Sequence, residues 1–182
     1  MKDLIKEKIE IPEKVEIKID NGMVQIKGEK GEIKKNLFSR KVKLAVEDNH
    51  VIIFTETAGT KREKAVAGTF KAHIKNLIKG VTEGHVYKLK ICSGHFPMSV
   101  EVKENEFIVK NFLGESIPRV LKLSEGVDVK IDGKEVIIES INKELAGLTA
   151  SSIEELTKRT GFDKRIFQDG IYIYYKDGKE IQ

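Results

Sequence analysis

The sequence predicts an α+β protein built from two tandem homologous domains, each an antiparallel β-sheet packed against one α-helix. Three observations carry this prediction. Blocks of residues recur in the same order at a near-constant offset, the blocks alternate apolar and charged residues with a period of two, and each copy switches to a helical period after one strand.

The first block, Ile11-Pro12-Glu13-Lys14-Val15-Glu16-Ile17-Lys18, returns as Phe96-Pro97-Met98-Ser99-Val100-Glu101-Val102-Lys103. Val15, Ile17 and Ile19 alternate with charges, as do Val24 and Ile26, the pattern of half-buried strands. Asp20-Asn21-Gly22 supplies hairpin chemistry between them, and Glu104-Asn105-Glu106 is the shorter equivalent. Val24-Gln25-Ile26-Lys27 with Gly31-Glu32 matches Phe107-Ile108-Val109-Lys110 with Gly114-Glu115. Val-Ile-Ile at 51–53 matches Val-Ile-Ile at 136–138, the latter preceded by the turn Asp132-Gly133.

The period then changes. Val66, Phe70, Ile74, Leu77 and Ile78 fall on one helical face, and so do Leu145, Thr149, Ile153 and Leu156. Each helix carries Ala-Gly early in its length, which costs about 1 kcal/mol of helix propensity relative to Ala. Close approach of helix and sheet is the expected reason at both places. Glu83-Gly84 before strand 86–91 matches Asp169-Gly170 before strand 171–175. By repeat phase strand 86–91 ends the first copy, but it is read here with the second sheet. That reading gives domains 1–81 and 82–182.

Composition narrows the function classes. Hydrophobic residues make up 40%, enough for packed cores, and no apolar run approaches the roughly 20 residues that span a bilayer. The N-terminus is charged and lacks the apolar stretch of a signal peptide, so a cytoplasmic protein is expected. A lone Cys92 cannot form an internal disulfide and fits a reducing compartment. Charged residues reach 34%, with a formal net charge of +4. Through Val81 there are 18 Lys+Arg against 12 Asp+Glu, and beyond it 15 against 17, so bulk charge alone assigns a polyanion to the first half. High Lys and Glu with three prolines and no tryptophan also suit a heat-adapted organism.

No catalytic or metal centre is legible, and no cofactor is expected. Cys92 and His95 are three apart, half of a metal site, but no second pair lies at a matching spacing. Ser93-Gly94-His95 lacks a nucleophile elbow, and Gly28-Glu29-Lys30-Gly31 lacks phosphate-loop spacing. His73 aligns with Ser152 in the other copy, which marks it as a surface or boundary residue. Basic groups remain. Lys34, Lys35, Arg40, Lys41 and Lys43 surround a hairpin, and Lys71, Lys75 and Lys79 recur along the first helix, where a solvated face is favoured over a stripe that follows a phosphate backbone. The segment Lys158-Arg159-Thr160-Gly161-Phe162-Asp163-Lys164-Arg165 is followed by Ile166-Phe167-Gln168-Asp169-Gly170-Ile171-Tyr172-Ile173-Tyr174-Tyr175-Lys176. Cations beside aromatics are what RNA contact requires, charge for phosphates and rings for exposed bases. Simple alternation puts Ile171, Ile173 and Tyr175 on one face and Tyr172 and Tyr174 on the other.

These residues carry a resemblance. The run from Arg165 to Ile173 resembles the C-terminal segment of the large-subunit ribosomal protein L-six family in its archaeal and eukaryotic form, the archaeal type being expected. Tyr87-Lys88-Leu89-Lys90-Ile91-Cys92-Ser93-Gly94-His95-Phe96-Pro97 is similar to that family's strand and turn opening the second domain. Ala67-Gly68-Thr69 and the duplication fit as well, so the likeness covers nearly the whole chain. Phe162-Asp163 departs from it, since relatives are usually more basic there.

The resemblance implies a structural constituent of the large ribosomal subunit, without enzymatic activity, acting in translation. It implies binding to large-subunit rRNA through the second domain, near the sarcin–ricin loop and the base of the factor-binding stalk. Neighbouring ribosomal proteins are implied partners, with translation factors close by and no membrane or small-molecule substrate. The RNA contacts it implies are Lys88, Lys90, Ser93 and His95 in the turn region, and Lys158, Arg159, Lys164, Arg165 and Tyr172 in the C-terminal segment. The alternative from a different class is a free-standing protein-interaction module with no RNA role.

Overall fold

The computed structural model describes residues 4–47, 49–55, 59–163 and 165–181. They form two compact units, Met1–Gly84 and His85–Gln182. In the first, β1 (Lys6–Glu10), β2 (Glu16–Asp20), β3 (Met23–Gly28), β4 (Gly31–Asn36), β5 (Val42–Glu47) and β6 (His50–Thr55) precede α1 (Lys61–Thr82). The second begins with β7 (His85–Cys92), β8 (Ser99–Lys103) and β9 (Glu106–Lys110), then a 3₁₀ turn at Phe112–Gly114. It continues with β10 (Arg119–Lys122), β11 (Val127–Asp132), β12 (Glu135–Ser140), α2 (Lys143–Leu156), β13 (Gly170–Lys176) and β14 (Lys179–Glu180).

All strand pairs are antiparallel, and within each unit the strands part into two sheets. The first unit holds the orders β1-β6-β5 and β2-β3-β4, and the second β11-β12-β7-β13-β14 and β10-β9-β8. The predicted strand faces are the buried ones. Val24, Ile26, Val51 and Ile53 lie in the first core, and Leu89, Phe107, Val136, Ile138 and Ile171 in the second. The Asp20-Asn21-Gly22 hairpin turns on two successive positive φ angles, 44° at Asn21 and 83° at Gly22, as a tight turn joining right-twisted strands demands.

Phe70, Ile74, Leu77 and Ile78 of α1 are buried, as are Thr149 and Ile153 of α2. Thr60 and Glu63 form a capping box at the start of α1, satisfying amides that the helix cannot pair internally. Asn142 caps α2, its side chain accepting from the Glu144 amide at 2.9 Å. The Ala-Gly steps do not share one explanation. A Cβ on Gly147 would lie 3.3 Å from the Tyr87 hydroxyl, but one on Gly68 would meet nothing within 4 Å. Close packing therefore accounts for Gly147 only, because Gly68 falls on the exposed side of α1. Gly68→Ala is expected to stabilise the protein by about 0.5–1 kcal/mol, read as a raised midpoint in thermal denaturation, whereas Gly147→Ala gains less or destabilises.

The units divide after Gly84, just past the expected division at 81, because α1 runs to Thr82 and the Glu83 and Gly84 amides close its last turn on the Lys79 carbonyl at 2.8 and 3.0 Å. The next strand, β7, lies at the centre of the second unit's large sheet, between β12 and β13. Its pairing with β12 matches that of β1 with β6, so β7 takes the place of β1 in the second copy. Strand β13 is then an addition, with no counterpart in the described first-unit sheets. The helices differ in step. After Leu77, α1 continues to Thr82, whereas α2 stops at Leu156 and a loop runs to Gly170.

Candidate nucleic-acid interface

The loop between α2 and β13 begins where Arg119 caps the helix, its Nη1 donating to the Leu156 carbonyl at 2.6 Å. Thr157, almost fully buried, then ties the helix end to the added strand, its Oγ1 accepting from the Ile171 amide at 2.9 Å. The Ile173 amide reaches Glu154 Oε1 at 3.4 Å. The amides of Ile171 and Ile173, in the part of β13 that β14 does not pair, are thus taken up by the side chains of Thr157 and Glu154, which blunts that stretch of sheet edge.

Asp169 holds the loop to the turn after β7. Its Oδ1 accepts from the Gly94 amide at 2.6 Å and the His95 amide at 3.0 Å, and its Oδ2 from His95 Nδ1. A carboxylate can only accept, so Nδ1 carries the proton and Nε2 is left for another partner. The Asp169 side chain is only 4% exposed. Burial pushes its carboxyl up, but the bonds from His95 and Gly94 outweigh this and hold it below the ordinary value. Gly170 follows with φ 155°, and a Cβ there would lie 3.0 Å from the Tyr172 ring, so a side chain at this step would be strained and would press the ring aside.

A row of rings stands on this clasp. His95 stacks on Phe167 at 4.7 Å between centroids, Phe167 meets Phe162 edge to face at 4.8 Å, and the Arg159 guanidinium lies 4.6 Å over Phe162. Arg159 is steadied by Glu115 at 3.2 Å, and Glu115 itself is held in a fork by Arg119 at 2.7 and 2.8 Å. Arg165 is exposed and bonds Asp163 through both its backbone amide and its guanidinium, the closest contact being 2.8 Å. This bond from Arg165 holds the Asp163 carboxyl below its usual range.

Tyr175 does not share a face with Ile171 and Ile173. The register shifts between Ile173 and Tyr175, so Tyr175 stands opposite Lys88, with the Lys88 ammonium 5.6 Å from its ring. A β-bulge at Tyr174 inserts one residue and resets the alternation. Tyr172 stands opposite Lys90, and this face of the sheet carries Lys88, Lys90, Tyr172 and Tyr175 together.

Of the residues named from the sequence, Ser93, His95, Arg159 and Tyr172 gather around the clasp, with exposed Lys158 beside them and Arg165 on the outer part of the loop. Lys88 and Lys90 lie on the adjoining sheet face, and Lys164 falls outside the described residues. Among the described residues no hydrogen bond joins Ser93 to the His95 ring. Sequence reasoning missed Asp169 as the clasp, Phe162 and Phe167 as the bracket, and Glu115 and Arg119 as the anchor of Arg159. The unequal spacing between the copies held a signal, because Leu77 to Gly84 is half as long as Leu156 to Gly170. Along the first-unit helix, Lys71 is already occupied by Glu7 at 2.5 Å.

The fold and this surface define a duplicated α+β scaffold whose second copy carries an added strand and a clasped cationic, aromatic loop. The family model for Ribosomal protein L6 matches residues 11–84 and 96–170, once per repeat. The chain is 46% identical over 178 residues to the large ribosomal subunit protein uL6 of Methanococcus vannielii, covering 98% of this chain and 97% of that protein. It is 43% identical over 186 residues to the protein of the same name from Nanoarchaeum equitans (strain Kin4-M), covering 98% and 96%. The chain belongs to the ribosomal protein L6 family. Its role is structural, in the ribosome, and it is not an enzyme.

Proposed function

We propose that the chain binds large-subunit rRNA through its second unit, as a constituent of the large ribosomal subunit in the cytoplasm. The observation that carries this reading is the Asp169 clasp, which brings a turn and a cationic loop, 74 residues apart, to one surface beside exposed rings. Lys88, Lys90, Lys158, Arg159, Lys164 and Arg165 neutralise phosphates, while Ser93, His95 and Tyr172 face sugars or bases. The position near the sarcin–ricin loop and the stalk base, with translation factors close by and other large-subunit proteins as neighbours, completes the proposal.

Cosedimentation tests it. The tagged full chain travels with large subunits and leaves them on RNase treatment. Retention of its partners after RNase would favour a protein-interaction module instead. The free pairing of Asp163 with Arg165 competes with phosphate, so Asp163→Asn is expected to tighten rRNA binding about two- to fivefold at moderate salt, measured by filter binding.

A further inference from the structure

Beside the row of rings the second unit opens a pocket of about 260 Å³. It is smaller than the roughly 300–1,000 Å³ typical of drug-sized ligands and has the scale of one planar ring system. Phe162, Tyr172 and Arg159 line it with faces on which a base can stack, and Ser151 and Glu154 of α2 supply polar atoms. Leu113 also lines it, held at φ 50°, where a branched side chain is rarely found.

The acids are the informative feature. Glu154 and Glu155 sit at the C-terminal end of α2, where the helix dipole disfavours negative charge, and no basic residue offsets them in the last turn. Asp169, also in the lining, has both oxygens committed to Gly94 and His95, which leaves the glutamates to meet a ligand. Carboxylates repel a phosphate backbone, so within a surface for RNA they require a group rich in donors. Guanine alone presents adjacent donors, N1–H and N2–H₂, on its Watson–Crick edge, and two adjacent donors match one carboxylate. The Ile173 amide, 3.4 Å from Glu154 Oε1, orients this carboxylate and leaves each of its oxygens a lone pair for a guanine donor.

We propose that this pocket takes a single unstacked guanine of the bound RNA, stacked against Tyr172 or Arg159 and paired through its Watson–Crick edge to Glu154. The inference rests on the rRNA-binding reading above and adds the ligand of one site within it. Kethoxal, which modifies the N1 and N2 atoms of unpaired guanine, reports that edge directly. With the full chain bound to its own large-subunit rRNA, one guanine is protected by the wild type. That guanine becomes reactive again with Ser151→Phe, which fills the pocket from an exposed helix position, and with Glu154→Gln, which removes the carboxylate. Both variants still bind, about tenfold more weakly, the size of one lost base contact. Identical guanine patterns for wild type and both variants, with binding retained, overturn the pocket assignment and leave the RNA reading standing. Should Ser151→Phe not fold, the Glu154→Gln pattern decides alone. Failure of the wild type to bind the rRNA at all overturns the RNA reading, and the pocket with it.

Discussion

Asp169→Ala is expected to cost the second unit about 2–4 kcal/mol and to weaken rRNA binding at least tenfold. The carboxylate is buried and accepts from two backbone amides and one ring nitrogen, so truncation removes three charge-assisted bonds at once and leaves a gap beneath the exposed Gly94–His95 turn. The loop then loses its tether to the turn, and any RNA that uses both must order them on binding. Thermal denaturation and filter binding read the two effects. His95→Ala removes only the ring contact and is expected to cost less.

The same residue sets a pH dependence. Its carboxyl is depressed in the folded protein, because the bonds from His95 and Gly94 overcome the opposing effect of burial. A depressed carboxylate contributes stability that is fully present above its unfolded value, about 3.9, and that is lost as pH falls below it. Asp169→Asn is therefore less stable than the wild type at neutral pH, and the difference shrinks on acidification below about pH 4. An unchanged difference across that window would mean that the clasp does not depend on charge.

Removing charge at Lys164 and Arg165 together is expected to weaken rRNA binding by at least tenfold near physiological salt. Each lost phosphate contact lowers the slope of log affinity against log salt by about 0.7–0.9, so the pair reduces it by about 1.5. The same change at Lys71 and Lys75 is expected to alter binding far less, since Lys71 is engaged by Glu7 within the first unit. Equal losses from the two pairs would contradict the assignment of the RNA surface to the second unit.

The parts legible in the sequence were those written in local periodicity. The strand alternation, the Asn21-Gly22 hairpin, both helical faces and the duplication all follow from residues close together in the chain. What could not be read depended on single insertions or distant contacts. The bulge at Tyr174 leaves the pattern of apolar and aromatic residues intact yet moves Tyr175 to the Lys88 face. Asp169 looks like half of an Asp-Gly turn, and only the closure of a 74-residue loop turns it into a clasp. The parting of each unit's strands into two sheets likewise depends on long-range register. Bulk charge pointed to the first half, but its lysines are partly answered by local acids such as Glu7, Glu29 and Glu63.

Comparison of the copies points to the candidate site more directly than any motif. The first copy runs its helix on to Thr82, whereas the second stops at Leu156, opens the cationic loop and adds β13 beside β7. The scaffold is repeated, and the candidate interface is built from what the second copy adds.

Ultraviolet crosslinking of intact large subunits, with the RNA-linked peptides identified by mass spectrometry, tests that claim most directly. RNA adducts on peptides spanning residues 88–95 and 158–175 are the predicted result. Adducts confined to the first unit, on the Lys71, Lys75 and Lys79 helix face, would contradict it.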